Sequence, residues 1–368
     1  MQYKKFKDGI SLSRLGMGAM RLPIKDSDAE IDYEKAKAII DAGMKSGINY
    51  YDTAYIYHGG KSEEFLGEAL KAYPRDSFYV ADKYNLQAEP DFERQFAEQL
   101  RRLQMDHIDF YLLHGIQDNF AEEILNNGCI GYFDKLKQEG KIRYLGFSFH
   151  GSPQMLERII QAYPWDFAQM QLNYYDWYCG NAKTLYEMLE QAGIPVMVME
   201  PVHGGMLANL RQEAADVLQR LDSSCSQASW AMRWVMDHSQ VQVVLSGMSD
   251  PAQLADNVRT FDQAKPLTDC EYAAIREAVQ LQYAAVAVAC TGCRYCSPNC
   301  PMGLDIPLLL RAYNEAKIGG AWRLTSVLAL PEEKRPTSCI GCGACTKHCP
   351  QSFDIPEYMS EMKVMMNR

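Results

Sequence analysis

No hydrophobic run in this 368-residue chain is long enough to cross a bilayer: the longest stretch of small apolar residues covers 284–289, against the roughly 20 residues a membrane helix needs. The opening residues, Met1 to Gly9, carry lysines but no apolar segment behind them, so no secretory signal is expected and the protein reads as cytoplasmic. A block dense in lysine and arginine is also missing. With 37 basic against 47 acidic residues and a formal net charge of -10, neither nucleic acid nor a membrane surface is an expected partner. Cysteine is scarce in residues 1–289, which hold four of the 12; the other eight fall in the last 79 residues at regular spacing. That asymmetry marks a second module. What remains, 47% apolar and 23% charged residues, is ordinary globular composition for one large domain with a small one.

Short apolar runs rich in β-branched and aromatic residues recur at 15–20, 48–52, 77–83, 108–114, 142–148, 167–172, 194–200 and 241–246. Helical periodicity fills the intervals at 33–46, 62–72, 91–103, 130–139, 153–162, 182–191, 227–237 and 251–261, with capping residues or early prolines at several starts. Eight strand-then-helix repeats in about 260 residues predict an α/β fold, a (β/α)8 TIM barrel. A doubly wound sheet is the alternative, but no Gly-x-Gly-x-x-Gly opens a helix after the first strand. Two stretches, 118–131 and 207–226, exceed the minimal repeat and read as loops or extra helices. The expected division is a barrel at 1–265, a helical connector at 266–289 and a small, mainly helical cysteine module at 290–368.

In such a barrel the reacting groups sit at the C-terminal ends of strands. Asp52 ends the second strand, Lys83 the third and His114 the fourth, while Tyr57 follows Asp52 by five residues. Each alone reads as a cap, a surface charge or a core histidine. On adjacent strands, however, they converge on one pocket. An ammonium beside a phenol favours the phenolate, so Lys83, paired with Asp52, would make Tyr57 a usable acid, with His114 orienting the substrate oxygen.

The segments Asp52-Thr53-Ala54-Tyr55-Ile56-Tyr57, Ala81-Asp82-Lys83 and Asp109-Phe110-Tyr111-Leu112-Leu113-His114 resemble the aldo-keto reductases at all four catalytic positions, and the resemblance runs from about residue 5 to 262. It implies NADH or NADPH across the barrel top and a small carbonyl or alcohol substrate. It also implies cofactor contacts at Gly18, Met20 and Asp52, with the carboxamide held by Ser148 and Gln169, although Gln171 shares the face of Gln169 by strand alternation. Phe149 stands where the family usually has asparagine, and Met199 where many relatives place an aromatic ring. The segment with Pro201, Val202, Gly204, Gly205 and Leu207 resembles the loop that wraps the pyrophosphate. Ser246, Gly247, Met248, Gln253 and Asn257 resemble the segment at the adenosine end. Gly247 and Gln253 occupy positions that are basic in NADPH-selective relatives, with Arg259 nearby, so the choice between NADH and NADPH stays open.

The last cysteines form two copies of one spacing, Cys290-x2-Cys293-x2-Cys296-x3-Cys300-Pro and Cys339-x2-Cys342-x2-Cys345-x3-Cys349-Pro, the bacterial ferredoxin pattern for two [4Fe–4S] clusters. Zinc sites normally use Cys-x2-Cys pairs separated by a longer gap. In two-cluster ferredoxins the fourth cysteine reaches the other cluster, which assigns Cys349 to the first trio and Cys300 to the second. The helix-like stretch at 306–317 lengthens the connection beyond that of compact ferredoxins, so this mutual ligation stays open. The sequence thus predicts a hydride-exchanging oxidoreductase with iron–sulfur clusters for electron transfer. Alternatives are a nicotinamide-sensing redox interaction module, or an electron port to a partner protein, with structural clusters as the bland case. Hydride carries two electrons and a cubane passes one, and no flavin signature is evident to divide the pair.

Overall fold

In the computed structural model, which describes the chain apart from residues 26–29, 119, 287, 289, 291–293, 295, 350, 351 and 368, the apolar runs become eight parallel strands. A hairpin of β1 (Tyr3–Lys5) and β2 (Ser11–Ser13) precedes them. The barrel strands are β3 (Leu15–Gly18), β4 (Tyr50–Asp52), β5 (Tyr79–Tyr84), β6 (Ile108–Ile116), β7 (Ile142–Phe149), β8 (Phe167–Gln171), β9 (Val196–Met199) and β10 (Val241–Ser246). They pair in chain order, and β10 closes on β3. The helices start where their caps direct. Asp91 accepts from the Arg94 amide at 3.0 Å ahead of Phe92–Leu103, and Asp250 accepts from the Ala252 and Gln253 amides ahead of Pro251–Gln263.

Strand alternation decides what enters the barrel. Tyr50, Ala81, Phe110, Tyr144, Phe167 and Met197 belong to one buried apolar cluster, joined by Phe6 and Leu12 from the hairpin region. The Phe6 ring stands 5.5 Å from Phe110 and 5.0 Å from Tyr144. Two residues further along each strand, or four for Phe110 and Tyr144, come Asp52, Lys83, His114, Ser148, Gln169 and Met199. The same periodicity that fills one end with rings therefore lines the other with polar groups. Gly146 lies between Tyr144 and Ser148 because a Cβ there would meet the Phe167 ring and carbonyl at 2.6 Å.

The compact units do not divide the chain where the sequence suggests. One comprises Met1–Val202 with Leu221–Ala273, and the other His203–Arg220 with Ala274–Arg368. Residues 203–220, expected in the barrel, cluster with the C-terminal residues, and the Gln282 side chain accepts from the Arg211 amide at 3.0 Å. The helix Asp269–Val286, read as the connector, itself bridges the division at 273/274. Within the second unit the helices Ile306–Gly319 and Ile355–Met366 supply Leu309, Leu310, Tyr313, Met359 and Met362 to its core. Asn314 holds the incoming chain, accepting from the Val288 amide at 2.7 Å and donating to the Val288 carbonyl at 2.9 Å. Among the described residues no helix is long and apolar enough to cross a membrane.

Candidate active site and cluster sites

Asp52 and Lys83 meet as a buried ion pair. Lys83 Nζ donates to Asp52 Oδ1 at 2.7 Å and to the Thr53 carbonyl, and the two side chains are 0% and 4% exposed. Burial works to strip the Lys83 proton, yet Asp52 and Tyr57 more than offset it and its pKa stands above the ordinary lysine value. Burial likewise lifts Asp52 against the pull of Lys83. The Lys83 ammonium lies 5.0 Å from the centre of the Tyr57 ring, and that ring stands edge-on to His114 at 5.9 Å. The four expected catalytic residues are thus brought together.

One expectation about charge is reversed in sign. The phenol of Tyr57 is raised above its ordinary pKa because loss of water outweighs the downward pull of Lys83. Tyr57 consequently keeps its proton, as a donor must. His114 is held well below the ordinary histidine value, first by burial and then by Lys83 and His150, so its ring is neutral.

Ser148 and Gln169 are register partners on β7 and β8. Ser148 Oγ accepts from the Gly115 amide at 2.6 Å, which leaves its O–H as a donor, and Gln169 Oε1 is buried without a hydrogen-bond partner. A carboxamide, with one acceptor and two donors, fits that pair of needs. Gln171 is less buried than Gln169. Gly18 is the register partner of Asp52, Met20 is exposed, and Met199 Sδ accepts from Gln169 Nε2 at 3.8 Å. Pro201 and Val202 close the first unit, whereas Gly204, Gly205 and Leu207 belong to the second; both glycines have positive φ, 65° and 99°.

At the expected adenosine segment Asn257 donates to Ser246 Oγ at 2.9 Å, Gln253 Oε1 accepts from the Ser249 amide at 2.8 Å, and Met248 is buried. Arg259 is paired with Asp256. The stem of Arg21 instead lies along Gly247, where a Cβ would stand 3.0 Å from Arg21 Cβ. The aromatic segment after β8 turns partly inward: Trp177 packs on Trp234 at 5.4 Å and on His238 at 4.9 Å, and burial pushes the Cys179 thiol up to about 12.

Sequence reasoning missed the groups behind Lys83. Asp82 Oδ1 accepts from the Lys83 amide at 2.8 Å, and Gln99 Nε2 donates to the Lys83 carbonyl and to Glu63 Oε1, both at 3.1 Å. Arg102 completes the network with a 2.8 Å bond to Glu63 Oε2. Asn85, two residues beyond Lys83 and so on the same side by alternation, puts its Nδ2 3.3 Å from His114 Nδ1. Period-2 spacing could have found Asn85; nothing local points to Glu63, Gln99 or Arg102.

In the second unit Cys300, Cys339, Cys342 and Cys345 line one cavity with Met302, Ile340 and Met359. Among the described residues no three His, Cys, Asp or Glu side chains converge as ligands of a single ion. Thiols spaced around a cavity suit a multi-iron cluster better than one zinc, which draws its sulfurs to about 2.3 Å from a single centre. Cys296 is buried in the core of the same unit, Cys290 and Cys349 pack against that core, and Cys293 lies outside the described residues.

The Aldo/keto reductase family model matches residues 14–280. The chain belongs to the aldo/keto reductase family. A 4Fe-4S dicluster domain matches residues 289–353, C-terminal to the reductase region. Curated relatives of this family member include L-galactose dehydrogenase of Arabidopsis thaliana, 28% identical over 284 residues that cover 70% of this chain and 87% of the relative. The NADH-specific methylglyoxal reductase of Escherichia coli is 25% identical over 318 residues, covering 73% and 95%. Among solved structures, the holo form of an aldo-keto reductase from Bacillus halodurans superposes with a TM-score of 0.63 at 28% identity, over 76% of this chain and 96% of that one. This reductase is therefore an oxidoreductase of the aldo-keto type carrying a 4Fe-4S domain.

Proposed function

We propose that the protein reduces a small carbonyl compound, or oxidises the corresponding alcohol, with NADH or NADPH, in the cytoplasm, and that its C-terminal domain holds two [4Fe–4S] clusters for one-electron exchange with a partner protein. The observation that carries the first part is the buried Lys83–Asp52 pair beneath a protonated Tyr57 and beside a neutral His114. The nicotinamide, when bound, supplies or accepts the hydride. Ser148 and Gln169 hold its carboxamide, Pro201 and Val202 border its phosphates, and the segment at 246–257 takes its adenosine end. As charge develops on the substrate oxygen, the Tyr57 O–H gives it a proton while His114 orients it by a hydrogen bond. Lys83, kept charged by Asp52, stabilises the phenolate left on Tyr57. In the alcohol-oxidising direction the same phenolate takes the proton back.

For the clusters, the cavity ringed by Cys300, Cys339, Cys342 and Cys345 supports one cubane, and the trio of Cys290, Cys293 and Cys296 with Cys349 is the donor set of the other. Cys342 is exposed and its neighbour Ile340 is 64% exposed, which favours an electron port over a purely structural role.

The test is Tyr57→Phe. It should leave nicotinamide binding, read by fluorescence titration, within about twofold, and lower carbonyl reduction by about 10²–10⁴ with a substrate found by screening. Unchanged turnover would remove Tyr57 from the role of proton donor.

A further inference from the structure

Asn85 follows β5 and is clamped on three sides. Its amide donates to Gln95 Oε1 at 2.7 Å, its carbonyl accepts from Gln95 Nε2 at 3.0 Å, and its Oδ1 accepts from the Ala88 amide at 2.9 Å. Gln95 is itself wholly buried and donates also to the Glu89 carbonyl at 2.8 Å, so the clamp has no slack. The Ala88 bond decides which way the Asn85 amide faces: the oxygen is taken, and the NH2 end is turned to His114 Nδ1, 3.3 Å away.

A carboxamide nitrogen only donates, so Nδ1 must present a lone pair. A neutral imidazole with an accepting Nδ1 carries its proton on Nε2. We propose that Asn85 is a positioning residue that fixes His114 as the Nε2–H tautomer and so determines which ring nitrogen donates to the substrate oxygen. The inference rests on the proposed carbonyl chemistry for its consequence, but the tautomer itself does not depend on it. The charged and titratable groups around the ring are Lys83 from β5, Tyr57 from the loop after β4 and His150 beyond β7. The two basic ones disfavour a second proton on the ring, so the competition is between two neutral tautomers, and the Asn85 bond settles it. Asn85 touches neither substrate nor cofactor in this role; it acts through His114.

Nitrogen-15 spectra of the full chain labelled at its seven histidines, with the His114 signals assigned by their loss in His114→Gln, read the tautomer directly. The native protein should show the Nε2–H form between pH 6 and 8. Asn85→Asp replaces the donor by an acceptor and should move the proton to Nδ1 or protonate the ring doubly, with kcat falling tenfold or more and nicotinamide affinity within about twofold. Asn85→Leu keeps the volume without either function and should give a mixture of tautomers, which provides the same readout if the charged variant fails to fold. An Nδ1–H ring in the native protein, or an unchanged tautomer in a folded Asn85 variant, overturns the proposal. Absence of carbonyl turnover in the native protein with the expected tautomer would instead overturn the functional reading alone.

Discussion

The Asp82 carboxyl has one oxygen bonded to the Lys83 amide and the other buried without a donor, in the neighbourhood of Glu63. Burial, and then the nearby Glu63 charge, hold its pKa well above the ordinary carboxylate range. In the unfolded chain the same group ionises near pH 4. Above that pH the folded state retains a proton that the unfolded state has lost, so this group's contribution to stability falls as pH rises toward its raised folded value. Asp82→Asn keeps an acceptor for the Lys83 amide and removes the titration. Urea unfolding of cluster-intact protein at pH 6, 7 and 8 should therefore show a shallower decline in the variant. Equal slopes would mean that Asp82 is ionised in the fold. The convergence of the four expected residues was legible in the sequence, because Asp52, Lys83 and His114 fall at or near the C-terminal ends of adjacent strands and Tyr57 follows the first by five residues. Asp82 was not, because what gives it meaning is Glu63 on a helix and the depth at which the two are buried.

At the scale of elements, the network behind Lys83 depends on how closely two helices approach. In the helix Lys61–Leu70, Gly67 shares the face of Glu63, and a Cβ at Gly67 would stand 2.5 Å from the Leu103 carbonyl oxygen and 2.6 Å from that of Arg102. Backbone atoms cannot step aside as a flexible side chain can. Gly67→Ala gains up to about 1 kcal/mol in helix propensity but forces the helices apart, and overpacking of this kind costs about 1–3 kcal/mol. We expect a lower urea midpoint with weaker bonding of Glu63 to Gln99 and Arg102; an unchanged or raised midpoint would show that the helices slide apart without strain. Most elements were readable because strands of this barrel are buried on both faces and its helices carry caps, as at Asp91, Ser152 and Asp250. The hairpin β1–β2 escaped because three-residue strands have no period to read, and the helix Ile355–Met366 lies beyond the last cysteine motif.

Over the whole molecule, the two cysteine runs make a counting experiment possible. If Cys300 serves the cluster of Cys339, Cys342 and Cys345, then Cys300→Ala and Cys342→Ala damage the same site. The double variant, prepared without oxygen, should retain about four of about eight irons and one of two dithionite-reduced resonance signals. Loss of both signals would show that each cysteine run keeps its own fourth ligand. The ferredoxin spacing was plain in the sequence and already offered Cys300 to the second run; the cavity that Cys300 lines with Cys339, Cys342 and Cys345 is in keeping with that grouping.

Residues 203–220 also bear on what can be removed from the chain. A stop codon placed after the last barrel helix would leave behind an internal segment that folds with the C-terminal residues, and Ala214, Val217 and Leu218, buried in the intact protein, would lose the unit to which 203–220 belong. The coding sequence thus holds one module interrupted by part of another. A recombination that traded the iron–sulfur region alone would have to repair the loop after β9 in the same stroke, so the two parts are constrained to be inherited together.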